Sequence, residues 1–119
     1  MIFVISAKQL LIDMKEAPNL SYLEEIAGQD NDFEQRFIKL FKEEFLWEVG
    51  MYLRYIQKNE PRSAAEIVTK SKYKFSILGL ENSYDFANTH EENLQQGDTS
   101  MHYGFQKILK KVNLFLSEV

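Results

Sequence analysis

The sequence predicts an all-α fold: an antiparallel four-helix bundle with additional short N-terminal helices. Three observations carry this. Apolar residues recur at three- and four-residue spacing along nearly the whole chain. No stretch of useful length alternates in the two-residue rhythm of a strand, and no Asn-Gly or Asp-Gly pair marks a hairpin. The glycines and prolines punctuate helical segments or sit singly inside them, and the connecting loops are short. Short loops make consecutive helices antiparallel neighbours.

The elements follow in order. Ser6 and Gln9 form a capping box before "AKQLLIDMKEA", where Leu10, Leu11 and Met14 make an apolar stripe and Pro18 ends the helix. A short helix runs from about Leu20 to Ala27 and stops at Gly28. Asn31 and Glu34 fit a capping box for the next helix, whose acidic start suits its dipole. Its expected core stripe is Phe33, Phe37, Leu40, Phe41 and Phe45, continuing through Val49, Leu53 and Ile56 to about Lys58. Gly50 lies mid-pattern, as a bend or a close helix contact.

Pro61 opens a further helix in its first turn. Ala64, Ile67, Val68, Phe75 and Leu78 are its apolar positions, and Gly79 is a left-handed stop. The following helix spans about Glu81 to Gln96, with Tyr84, Ala87 and Leu94 on one face and Gly97 beyond it. Asp98 or Thr99 is the expected cap of the last helix, where Met101, Phe105, Ile108, Leu109, Val112 and Phe115 form the stripe. At 119 residues the chain is one domain, with residues 1–19 as an N-terminal extension and helix and 20–118 as the bundle.

Composition narrows the function. With 45% hydrophobic and 27% charged residues the chain is ordinary globular material. The absence of cysteine removes disulfides, thiolate metal sites and cysteine nucleophiles, and suits a reducing cytosol. A net charge of −4 argues against nucleic acid as a partner. The start "MIFVI" is too short for a signal peptide, and no apolar run has the length of a membrane span, so a cytoplasmic protein is expected. Five apolar residues together imply cover, over the open end of the bundle or in a dimer contact.

No glycine-rich phosphate loop, His-Glu-x-x-His or Gly-x-Ser-x-Gly occurs. The adjacent pairs Glu24/Glu25, Glu43/Glu44 and Glu91/Glu92 diverge on a helix and do not aim at one centre. No enzyme, cofactor or metal is expected. Trp47, Tyr52 and Tyr55 read as core or helix-contact residues.

The order of elements resembles a known family. "LSYLEEIAGQDNDFEQRFIKLFKEEF" is similar to the opening of histidine-containing phosphotransfer (HPt) domains. There a short L-x-x-L-x-G turn precedes an aspartate-capped helix ending in L-x-x-F-x-x-x-x-P. Leu23, Gly28, Phe33, Leu40 and Phe41 sit at matching places, and Leu46 replaces the proline. The family's second signature, A-H-x-L-K-G-x-x-x-x-x-G, resembles "VTKSKYKFSILG" at 68–79, preceded by "NEP" at 59–61 and followed by "HEENLQQGD" at 90–98. The resemblance covers about Leu20 to Ser117.

One departure decides what the resemblance implies. Counting back from Gly79, the family's phospho-acceptor histidine falls on Thr69. The family lysine is kept as Lys72, but the small glycine beside it is Tyr73. A threonine hydroxyl is a poor nucleophile without a base, and its phosphate ester would be too stable to hand the group on. The resemblance therefore implies a pseudo-phosphotransfer protein of a two-component phosphorelay. It would bind a response-regulator receiver domain or a histidine kinase without carrying phosphate.

Thr69, Lys72, Tyr73 and Ser76 share one helix face, with Lys70 and Lys74 beside it. These six residues are the expected partner-binding surface, complementary to the acidic cluster of a receiver. The competing interpretation is a solvated helix face. Ser71 falls inward and is expected to bond back to the carbonyl four residues earlier. His90 lies level with Thr69 across the turn and is a candidate relocated acceptor, though its phase with Ala87 and Leu94 favours a semi-buried, hydrogen-bonded histidine. His102 reads as surface. A structural helical module unrelated to signalling is the third alternative.

Overall fold

The computed structural model describes residues 16–119. The apolar residues 1–5, the Ser6/Gln9 box and most of the helix expected over 7–17 lie outside the described residues. Its last two positions, Glu16 and Ala17, are not helical.

Among the described residues there are five helices and no strand: α1 (Ser21–Ala27), α2 (Asn31–Gln57), α3 (Pro61–Ile77), α4 (Glu81–Gln95) and α5 (His102–Ser117). Gly79 follows α3 at φ +77°, the left-handed geometry that lets the chain reverse. There the Gly79 N–H donates to Ser76 O (3.0 Å) and the Leu80 N–H to Phe75 O (2.9 Å), satisfying carbonyls left over at the helix end.

Two caps differ from expectation. Asp30, not Asn31, starts α2: its carboxylate accepts from the Phe33 N–H at 3.0 Å. An acceptor one residue earlier reaches the unpaired donors of the first turn. Neither Asp98 nor Thr99 caps α5, which starts after Met101 with no side-chain cap. Asp98 instead accepts from the Ser100 N–H at 2.8 Å, closing the loop upon itself.

The helix α2 runs unbroken for 27 residues through Leu46 and Gly50. Among the described residues a Cβ at Gly50 would meet nothing within 4 Å, so none of them makes a close helix contact there. Its buried row is Ile38, Phe41, Phe45, Glu48 and Tyr52. Leu40, expected inside, is 55% exposed, and Phe33 and Trp47 are also exposed. Phe41 and Phe45 of the expected stripe are buried, and Phe37, Val49, Leu53 and Ile56 pack against the core. The helix carries apolar residues on more than one side, so spacing alone also took in Phe33 and Leu40, which face outward. On α3 the expected set, Ala64, Ile67, Val68, Phe75 and Leu78, is buried throughout.

Cross-helix pairs give the directions. Glu44 meets Lys74 and Glu48 meets Ser71; Lys72 meets Asn88 and Thr69 meets Glu91; Asn93 meets Met101 and His90 meets Phe105. One number rises as the other falls, so α2/α3, α3/α4 and α4/α5 are antiparallel. Phe105 of α5 lies at the centre, its ring 4.8 Å from Tyr52 of α2, 5.9 Å from Phe75 of α3 and 5.0 Å from His90 of α4. One apolar core thus joins the four long helices. Each large side chain in it contributes roughly 1.5–3 kcal/mol of burial.

Residues 16–19 are themselves tied to the bundle. The Glu16 carboxylate accepts from the Asn82 and Ser83 N–H groups and the Ser83 hydroxyl at 2.6, 2.9 and 2.7 Å. An anion at the positive end of α4 is favourably placed. The Asn19 N–H donates to Leu78 O at 2.9 Å. Among the described residues no helix is long and apolar enough to cross a membrane.

Candidate functional site

Pro61 and the Gly79 turn fix the register of α3, and its two antiparallel neighbours, α2 and α4, fix what its side chains meet. Thr69 is half buried. Its hydroxyl reaches Ala65 O at 3.0 Å and the Glu91 carboxylate of α4. The back-bond expected of Ser71 thus belongs to Thr69. Ser71 is buried and donates instead to Glu48 of α2 at 3.0 Å. The reason is register: α2 brings a buried carboxylate to the inward hydroxyl, which is a stronger acceptor than a carbonyl already used by the helix.

Glu91 also joins Lys72. The Lys72 ammonium lies 3.2 Å from Glu91 Oε1 and 2.9 Å from Asn88 Oδ1, and 5.5 and 5.7 Å from the Tyr73 and Tyr84 ring centroids. It is enclosed by acceptors and aromatic faces, as a buried charge must be. Lys72 was expected on an open face, but only 7% of it is exposed.

Lys74 departs further. It points to α2, where its ammonium donates to Glu48 Oε2 at 2.7 Å and Glu44 Oε1 at 2.9 Å. Burial alone would lower its pKa, but the hydrogen bonds and charges of Glu48 and Glu44 outweigh that and raise it. The Glu48 carboxylate therefore takes a serine hydroxyl on one oxygen and an ammonium on the other, and is buried with both.

Of the six residues expected to form a docking face, Lys70, Tyr73 and Ser76 are exposed, Thr69 is half exposed, and Lys72 and Lys74 are buried in ion pairs. Lys70 lies 5.2 Å over the Trp47 ring of α2. Trp47, expected in a helix contact, is 52% exposed. Lys70, Lys74, Leu40, Glu43, Glu44 and Trp47 border a shallow groove between α2 and α3.

The second polar cluster is internal. The Tyr52 hydroxyl lies 2.8 Å from His90 Nε2 and 2.8 Å from His102 Nδ1. His90 is fully buried and hydrogen-bonded, in keeping with its phase. His102, expected at the surface, is half buried because α5 turns it toward Tyr52. Among the described residues the His90 Nδ1 atom has no partner. An unpaired buried lone pair is less costly than an unpaired N–H. This assigns the proton to His90 Nε2, which donates to the Tyr52 hydroxyl, and that hydroxyl donates in turn to His102 Nδ1. Burial, then the neighbouring His102 charge, hold the His90 pKa down to about 4; burial also lowers that of His102. Burial raises that of Tyr52.

Glu48, Glu91 and Tyr52 carry these clusters, and the sequence pattern did not single out their roles. Glu48 had a signal: it continues the row Phe41, Phe45, Glu48, Tyr52. Among the described residues no group of three or more His, Asp or Glu side chains could hold a metal ion. No family model, no curated protein and no solved structure matches the chain.

Proposed function

We propose that this is an HPt-like antiparallel four-helix bundle acting as a pseudo-phosphotransfer protein. It binds a receiver domain or a histidine kinase of a two-component phosphorelay through the outer side of α3, without carrying phosphate. The observation that carries the proposal is the condition of position 69. Its hydroxyl is held by Ala65 O and Glu91, with Lys72 locked beside it, and the nearest imidazole, His90, is buried and bonded to Tyr52. Nothing there offers a free nucleophile to a phospho-aspartate, while Tyr73 and Lys70 offer an aromatic and a cation for docking. Burial argues against His90 as a relocated acceptor, since an in-line donor needs access to the ring nitrogen.

The pairing of Lys72 and Lys74 within the chain favours a second reading, a structural helical module. It leaves Lys70 as the exposed member of the three lysines.

Incubation with a phosphorylated receiver separates these. Binding without transfer, weakened by Tyr73→Ala and by Lys70→Glu, is the expected result. Acid-labile phosphate on the chain would overturn the proposal. Failure to bind any receiver or kinase from the same cell would leave the structural module.

A further inference from the structure

The outer face of α2 repeats its chemistry about a centre. Phe33 lies seven residues before Leu40 and Trp47 seven after; Arg36 lies four before and Glu44 four after. At 3.6 residues per turn these five fall within an arc of about 80°. All five are exposed, with Leu40 at 55% and Trp47 at 52%. Glu44 gives Oε1 to Lys74 yet keeps 51% of its side chain in solvent. Arg36 makes no ion pair among the described residues.

We infer that this face is a two-fold interface with a second copy of the chain. Two α2 helices laid antiparallel with Leu40 on the axis place Phe33 of each against Trp47 of the other. The same register places each Arg36 against the other copy's Glu44. A closed isologous contact demands this kind of self-matching, in which residue i meets j and j meets i. A parallel pairing would set Arg36 on Arg36 and Glu44 on Glu44, which like charges oppose.

The composition fits as well. An aromatic pair at each end and an aliphatic residue at the centre, bordered by Arg–Glu pairs, is the anatomy of an interface rather than of a solvated helix. The face is about 21 Å long and would bury roughly 1,000 Å² in total, the lower end of specific interfaces. The dimer is therefore concentration-dependent. The face adjoins Lys70 of α3, which lies 5.2 Å over the Trp47 ring, and the contact does not depend on the proposed phosphorelay role.

Sedimentation equilibrium of the full chain, up to about 1 mM, tests this. The wild type is expected to self-associate as a dimer, and Leu40→Glu to weaken it by at least about tenfold. Arg36→Glu alone and Glu44→Arg alone each weaken it. An equimolar mixture of those two variants regains the dimer, because each Glu–Arg contact is restored across the heterodimer. A wild type that stays monomeric overturns the inference. So does a dimer indifferent to Leu40→Glu, or a mixture no more associated than its components.

Discussion

The Tyr52 hydroxyl of α2 stands 2.8 Å from His90 Nε2 of α4, both enclosed in the apolar core. One hydroxyl also serves His102, so a single atom joins three helices. Tyr52→Phe removes it while leaving the shape of the ring. His90 then keeps a buried N–H with no acceptor. The expected cost is about 1–3 kcal/mol of stability, read from urea unfolding at neutral pH.

The same cluster sets a pH dependence. The groups facing His90 are Tyr52 from α2, His102 from α5 and Asp98 from the preceding loop. The folded-state pKa of His90 is about 4, below its ordinary value of 6.5. The unfolded chain therefore binds more protons in that window, and stability falls as pH drops from about 6.5 toward 4. The full shift corresponds to roughly 3 kcal/mol. His102 is lowered as well and adds in the same sense. His90→Leu should flatten most of this slope in urea midpoints measured between pH 7 and pH 4, and an unchanged slope would contradict the assignment.

Glu48 and Lys74 form a buried pair whose members cannot be removed singly without cost. Their side chains are 4% and 11% exposed. Lys74→Met leaves the Glu48 carboxylate with Ser71 alone, and Glu48→Met leaves the ammonium with the exposed Glu44. Each should cost about 3–5 kcal/mol, whereas the double Met variant should lie near the wild type. Thermal unfolding of the three variants supplies the double-mutant cycle.

How far the sequence carried follows from what each residue depends on. Gly28, Gly79 and Gly97 were legible as helix stops because a positive φ is a local requirement that glycine meets. The α3 core was legible because its aliphatic and phenylalanine positions Ala64, Ile67, Val68, Phe75 and Leu78 fall on one side, with Tyr73 standing out on the other. Leu40 and Trp47 misled because α2 has a second apolar face, and periodicity does not say which one meets the core. Lys72 and Lys74 misled for another reason. Their carboxylate partners come from other helices, 19, 26 and 30 residues away, and only packing brings them into register. His102 was lost to the same cause, since its burial depends on how α5 is rotated against Tyr52.

Two glycines should respond oppositely to alanine. Gly79 has φ +77°, and a Cβ there would lie 2.8 Å from Asn19 Nδ2. The backbone strain is about 1–2 kcal/mol, and the Asn19 side chain must also move. Gly50 sits inside α2 with nothing among the described residues near a new Cβ. Gly50→Ala should stabilise by about 0.5–1 kcal/mol through helix propensity. Melting temperatures of the two variants should therefore move apart from the wild type.

Position 69 offers the sharpest chemical prediction. If α3 keeps a phosphotransfer helix without its reactive group, the group can be put back. Thr69→His supplies an imidazole beside Lys72, but the exposed Tyr73 ring occupies the place of the family's glycine. The histidine also loses the threonine's bond to Glu91, freeing the carboxylate oxygen that Lys72 does not hold to repel an approaching phosphoryl group. The single variant should stay a poor acceptor. Thr69→His with Tyr73→Gly and Glu91→Gln should take acid-labile phosphate from a phosphorylated receiver that the wild type binds, followed by label retention after base and loss after acid. If the triple variant folds and binds that receiver yet gains no label, the α3 face is not a phosphotransfer surface.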